Sequence, residues 1–165
     1  MYICDKFSIY LTNIQSVKSR ITSLQSIVNT LESDIVVINE TNLKKNDKLK
    51  LEGFKCFSRN RQNAAMGGVA TCVKDEHSSN TLKVSTGDNE EYIITRHSQF
   101  SPAVNVINHY GTQESRQSTD EIHSSWETIL NEIPDIEAKG ERLIYLGDLN
   151  PHLGVMIKGN NGKTK

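Results

Sequence analysis

The chain has little cysteine, and what it has is badly spaced for joint work. Cys4, Cys56 and Cys72 are odd in number and far apart, with no Cys-x-x-Cys pair. That excludes a disulfide framework or a cysteine zinc site and leads one to expect reduced thiols in an intracellular setting. Long apolar runs are missing too, since no stretch approaches the roughly 20 residues that a bilayer-spanning helix needs. The opening Met1-Tyr2-Ile3-Cys4-Asp5-Lys6 lacks a basic region followed by an apolar one, which argues against secretion. Net charge is only -1, so overall charge neither excludes a nucleic-acid partner nor argues strongly for one. There is no internal repeat, no low-complexity tract and no dividing linker. What remains is a 165-residue chain, 36% hydrophobic, with a mean hydropathy of -0.49. It has the size and composition of one soluble domain spanning 1–165, or of a piece of a somewhat larger one.

The small net charge conceals an asymmetry. Between Lys44 and Arg61, seven basic residues face only Asp47 and Glu52, a local charge of +5. Between Thr86 and Glu137, ten acids face only Arg96 and Arg116, a local charge of -8. A basic segment beside a catalytic cleft could contact phosphates, although any one lysine there is best read as part of a solvated face. Arg59 and Arg61, just before Gly67-Gly68, are the candidates for positioning contacts to a nucleic-acid backbone.

Periodicity divides the chain into alternating elements. Phe7 to Leu11 alternates apolar and polar residues as a strand ending near Asn13, and Val17 to Leu31 has the spacing of an amphipathic helix. Asp34 to Ile38 is a β-branched run, too short for a helix, that reads as a strand buried on both faces and ending at Glu40. Strand, helix, strand predicts a βαβ unit or a close variant with the two strands side by side. Shorter strand signals follow at Phe54–Ser58, Gly68–Val73, Leu82–Ser85, Tyr92–Arg96 and Val104–Tyr110. A capping box at Ser118 and Glu121 opens a helix through Ile122, Trp126, Ile129 and Leu130, expected to stop before Pro134. The last strand runs from Leu143 to Gly147, and the order of elements implies a sandwich that lacks its closing strands.

Polar groups with chemical uses fall at the carboxyl ends of these apolar strands. They are Asn13, Glu40, Tyr110 and the pair Asp148 and Asn150, which share a strand face because they are two residues apart. One such residue is commonplace at a strand end. Together they suit phosphodiester hydrolysis. Glu40 would bind a hard divalent cation such as Mg²⁺, with Asn13 helping to position it. Asp148 would orient or deprotonate the attacking water, and Asn150 would donate to a phosphate oxygen. Tyr110 could donate as negative charge builds on the phosphate. A histidine placed to work with them is missing.

The stretches that carry these residues are Leu11-Thr12-Asn13-Ile14-Gln15-Ser16, Val37-Ile38-Asn39-Glu40-Thr41, Met66-Gly67-Gly68-Val69-Ala70, Val106-Ile107-Asn108-His109-Tyr110 and Leu146-Gly147-Asp148-Leu149-Asn150. In order and spacing the chain resembles the endonuclease/exonuclease/phosphatase superfamily, and within it the apurinic-like endonuclease domain of non-LTR (LINE-type) retrotransposons. The resemblance implies a four-layer α/β sandwich of the deoxyribonuclease/apurinic-endonuclease type. It also implies DNA as partner, nicked with Mg²⁺ or Mn²⁺, in a nuclear polyprotein with a reverse transcriptase downstream.

Two departures stand out. Asn39 occupies the place of a usual Gln, and the family's later Asp and terminal Ser-Asp-His have no counterpart. His77, His97, His109, His123 and His152 all lie in other contexts. The expectation is therefore a carboxyl-terminally truncated domain, inactive as it stands. Two rival readings are another phosphodiesterase branch of the superfamily and a degenerate, non-catalytic interaction module.

Other signals are declined. The Asn39-Glu40-Thr41 sequon ends an apolar strand, and Gly159 to Thr164 lacks the earlier glycine of a P-loop, which would stand at Ile157. His109 should face away from Tyr110. His152 reads as a surface loop residue, and Trp126 reads as core.

Overall fold

The computed structural model describes residues 7–60, 67–78, 80–85, 92–111 and 119–149. Strand β1 (Ile9–Asn13), helix α1 (Val17–Thr30) and strand β2 (Ile35–Asn39) form the opening unit. The two strands are parallel neighbours, Ile9 opposite Ile35 and Asn13 opposite Asn39, so the side-by-side arrangement holds. All five residues of β2 are buried, because both of its faces are covered. Val36 and Ile38 pack with Leu24 and Val28 under α1, whereas Ile35 and Val37 meet Val104 and Val106 of the other sheet.

β3 (Phe54–Arg59) and β4 (Val69–Lys74) complete the first sheet in the order β1-β2-β4-β3. A short helix α2 (Asp75–Ser78), not foreseen from the sequence, turns the chain into the second sheet. That sheet has the order β5-β6-β7-β8, from β5 (Thr81–Ser85), β6 (Tyr92–His97), β7 (Val104–Tyr110) and β8 (Arg142–Asp148). Between the parallel strands β7 and β8, α3 (Thr119–Ala138) crosses the outer face of the second sheet, where Ile129 packs with Tyr92, Ile94 and Ile107. Helix, sheet, sheet, helix is the four-layer α/β sandwich that the sequence resemblance implied.

The structure corrects two expectations. Helix α3 does not stop before Pro134 but runs four residues past it to Ala138. Ile129 and Ile136, seven positions apart and so on one face, are both buried and hold the helix to the core on either side of the proline. Leu130, whose carbonyl loses its partner at Pro134, lies on the exposed side, where water can solvate it. The proposed cap, Ser118, lies outside the described residues.

The second correction concerns the thiols, since Cys56 and Cys72 form a disulfide. Spacing along the chain does not reveal this pair because the antiparallel register of β3 and β4 creates it, with the two residues directly opposite and their Cα atoms 4.0 Å apart. Cys4 lies outside the described residues.

Two buried histidines give the fold a pH dependence. His97 lies between Thr81 Oγ1 at 3.3 Å and Thr95 Oγ1 at 2.9 Å. His109 Nδ1 is 2.6 Å from the Tyr145 hydroxyl, and its ring meets Trp126 edge-on. Burial lowers both imidazoles to about 4, with His77 adding a repulsive contribution at His97. The unfolded chain, with histidine near 6.5, takes up protons first as the pH falls. Stability is therefore full above about pH 6.5 and is lost toward pH 4, at roughly 2 kcal/mol per histidine by pH 5. Urea unfolding should show a clearly lower midpoint at pH 5 than at pH 7.5, and His97→Gln should remove about half of that difference.

Candidate active site

Asn13 ends β1, Glu40 follows β2, Tyr110 ends β7 and Asp148 ends β8. The parallel pairs β1/β2 and β7/β8 deliver all four to the same end of the sandwich, where their side chains meet. Asn13 Nδ2 donates to Glu40 Oε1 and to Asp148 Oδ2, each at 3.0 Å. The Tyr110 hydroxyl donates to the same Glu40 Oε1 at 2.8 Å. One carboxylate thus accepts from both sheets, and one amide bridges the two acids.

The backbone around Glu40 is held in an uncommon conformation. Glu40 and Asn42 have φ of 54° and 51°. For a residue other than glycine this left-handed conformation costs roughly 1–2 kcal/mol and persists where the surroundings enforce it. Here the amides of Ser16 and Val17, at the start of α1, donate to Glu40 and Thr41 carbonyls at 2.9 and 3.0 Å. On the other side, Thr41 and Asn42 amides donate to Gly68 and Gly67 carbonyls at 3.1 and 2.8 Å, while Asn42 Oδ1 accepts from the Gly67 amide at 2.7 Å. Gly67 and Gly68 answer with φ of 109° and 85°. The glycine pair read from the sequence thus clasps the glutamate loop.

Under the site, the two sheets are joined by a buried pair of amides. Asn39 Nδ2 donates to Asn108 Oδ1 at 3.1 Å and to the His109 carbonyl at 3.2 Å. Asn108 Nδ2 donates to the carbonyls of Ala70 at 2.8 Å and Ile38 at 3.3 Å. Sequence reasoning quoted both residues without assigning them this work; their signal was a polar side chain inside an otherwise apolar strand. Gly147 is a second omission. A Cβ there would collide with the His109 carbonyl of the paired strand, so only glycine lets β8 approach β7 closely just before Asp148.

Asn13 is exposed and Glu40 and Asp148 are half-buried, so the acids remain open to solvent. The carboxylate oxygens of Glu40 and Asp148, in a site that admits water, suit a hard divalent cation that keeps part of its hydration shell. The two carboxylates therefore fit a divalent cation of that kind.

No protein-family model and no curated protein sequence matches the chain. Solved structures do. An AP endonuclease from Archaeoglobus fulgidus superposes with a TM-score of 0.68 at 18% identity, over 88% of this chain and 58% of that one. The 3′ phosphatase NExo from Neisseria, bound to a product DNA hairpin, gives 0.67 at 19% identity over 88% and 58%. The endonuclease domain of TRAS1, a telomere-specific non-LTR retrotransposon, gives 0.58 at 21% identity over 87% and 60%. The chain has the endonuclease/exonuclease/phosphatase fold.

Within that fold the chain spans about 58% of the length of the first structures it matches. Four of the seven site residues expected from the sequence, Asn13, Glu40, Tyr110 and Asp148, come together. Arg59 ends β3 opposite Val69, which is itself opposite Asn39, so it lies at the site end of the first sheet, two strands out from β2. Asn150, Arg61 and His152 lie outside the described residues, as does the segment Gly159 to Thr164. His109 points away from Tyr110 into the layer under α3, where Trp126 stacks on Tyr145 at 5.9 Å, as the alternation of the strand required. Asn39 is buried, which removes its sequon from consideration.

Proposed function

We propose that the chain belongs to a divalent-metal-dependent phosphodiesterase that nicks DNA, of the kind carried in a retrotransposon polyprotein with a downstream reverse transcriptase. The observation that carries this reading is the convergence of Asn13, Glu40, Tyr110 and Asp148 at one end of the sandwich. The similar structures support it, since their named members act as nucleases or as a DNA 3′ phosphatase.

In this reading Glu40, with Asn13 beside it, holds Mg²⁺ or Mn²⁺. A cation bound there supplies positive charge next to the phosphate as negative charge builds on it. Asp148 accepts the proton of the attacking water and is kept in place by the Asn13 amide. Tyr110 turns its hydroxyl toward a phosphate oxygen, and Asn150 donates its amide to another. Arg59 and Arg61 contact backbone phosphates and set the register of the duplex without reading bases. Lys44, Lys45, Lys48 and Lys50, exposed in the connection between β2 and β3, add to that field.

An intracellular, nuclear setting belongs to the same proposal. In a reducing compartment Cys56 and Cys72 would be thiols. Backbone pairing at six positions also joins β3 to β4.

The test uses the full open reading frame that encodes these residues. Supercoiled plasmid should be relaxed with Mg²⁺ or Mn²⁺ and left intact with a chelator. A protein that leaves plasmid intact but hydrolyses a phosphoinositide or a nucleotide phosphate would overturn the DNA assignment.

A further inference from the structure

At the opposite end of the first sheet, three side chains from two segments converge. Asp34 precedes β2, and Glu76 and His77 lie in α2; the Lys74 amide donates to the Asp34 carbonyl at 2.9 Å and brings the segments together. His77 Nε2 is 3.5 Å from Asp34 Oδ1 and 3.7 Å from Glu76 Oε1, and one ligand atom from each residue lies within 4.8 Å of the others. These separations are too long for good hydrogen bonds. They approach the edge of a zinc tetrahedron, in which bonds of about 2.1 Å place neighbouring donors about 3.4 Å apart.

The surroundings orient the donors. Asp34 Oδ2 accepts from the Ser8 amide at 2.7 Å and from Ser8 Oγ at 3.1 Å, so it is Oδ1 that faces His77. The His77 ring lies against Phe100, which packs on Phe7 with ring centres 4.6 Å apart. Thr81 Oγ1 donates to the His77 carbonyl at 3.2 Å and fastens the α2 turn. Hydrogen-bonded anchoring of this kind is what fixes ligands around bound metals. The Lys74 ammonium pairs with Glu76 Oε1 at 2.8 Å and must leave that oxygen for a cation to bind it.

We propose that Asp34, Glu76 and His77 form a Zn²⁺ site, with water as a further ligand. One imidazole and two carboxylates suit Zn²⁺ better than Mg²⁺, which prefers oxygen alone. The whole length of β2, roughly 17–20 Å, separates this site from Glu40, so it does not rest on the nuclease reading. Zinc here ties the start of β2 to the exit of β4, and Lys74 gives way to it.

The test is Zn²⁺ titration of the full chain in excess Mg²⁺, in a Glu40→Gln background that weakens the other end as a competitor. Co²⁺ absorption provides a second readout of tetrahedral coordination. Glu76 and His77 are partly exposed, so Glu76→Gln and His77→Ala should fold, which circular dichroism checks. The parent should bind one more Zn²⁺ than either variant, or bind it at least about tenfold more tightly, and only the parent's thermal midpoint should rise with zinc. Parent-like zinc affinity in either variant, or no zinc binding by the parent, would overturn the proposal.

Discussion

Glu40→Gln is expected to lower plasmid nicking by on the order of a thousandfold or more while leaving the fold intact, as residues that act together at a reacting centre commonly do. The amide is nearly isosteric with the carboxylate. Its oxygen can still accept from Asn13 Nδ2 and from the Tyr110 hydroxyl, the two bonds Glu40 Oε1 accepts now. What it loses is the negative charge. If that charge serves to hold a divalent cation, raised Mn²⁺ should restore part of the activity, because mass action offsets a weaker site. Asp148→Asn should cause a loss of similar size, but added metal should not recover it. The proposed task of Asp148 is to accept a proton, and an amide cannot do that. The two variants thus separate metal binding from base catalysis by one titration of nicking rate against Mn²⁺. Rates within tenfold of the parent in both would remove these residues from the chemistry.

Much of this site was legible in sequence because its geometry follows from strand polarity. A polar residue at the carboxyl end of an apolar strand is placed along the strand by the hydrophobic run before it, and parallel strands place such ends together. Asn13 with Glu40 and Tyr110 with Asp148 are such pairs, one from each sheet. The fully buried β2 was equally readable, since a β-branched run with no polar alternation signals cover on both faces.

Features that arise only from pairing between distant segments were not readable. The Cys56–Cys72 bond depends on the register of β3 against β4. The need for glycine at Gly147 depends on the closeness of His109 across the ladder. The continuation of α3 past Pro134 depends on Ile136 finding the core beyond it. Propensity alone gives the wrong answer there, because a tertiary contact outweighs a missing hydrogen bond.

The amide pair beneath the site leads to the largest expected effect on stability. Asn108 is fully buried, and its side chain makes three hydrogen bonds to the first sheet: to Ile38 O, to Ala70 O and from Asn39 Nδ2. Asn108→Ala removes all three, leaves a cavity between the sheets and strips Asn39 of one of its acceptors. A cost of about 2–5 kcal/mol follows, and for a chain of this size each kcal/mol shifts the thermal midpoint by roughly 2–4 °C. Calorimetry should therefore show a drop of several degrees or more. A loss under about 1 kcal/mol would mean that the sheets hold their register without the pair. Asn39→Ala should be destabilising too, and the double variant should cost less than the sum of the singles, because the Asn39–Asn108 bond is counted in both. The site itself supplies a further reading. Asn39 immediately precedes Glu40, and Asn108 lies two residues before Tyr110 on the same face of its strand, so the pair sets the separation across which the Tyr110 hydroxyl reaches Glu40. In the folded Asn108→Ala variant, nicking should fall further than the loss of folded protein accounts for.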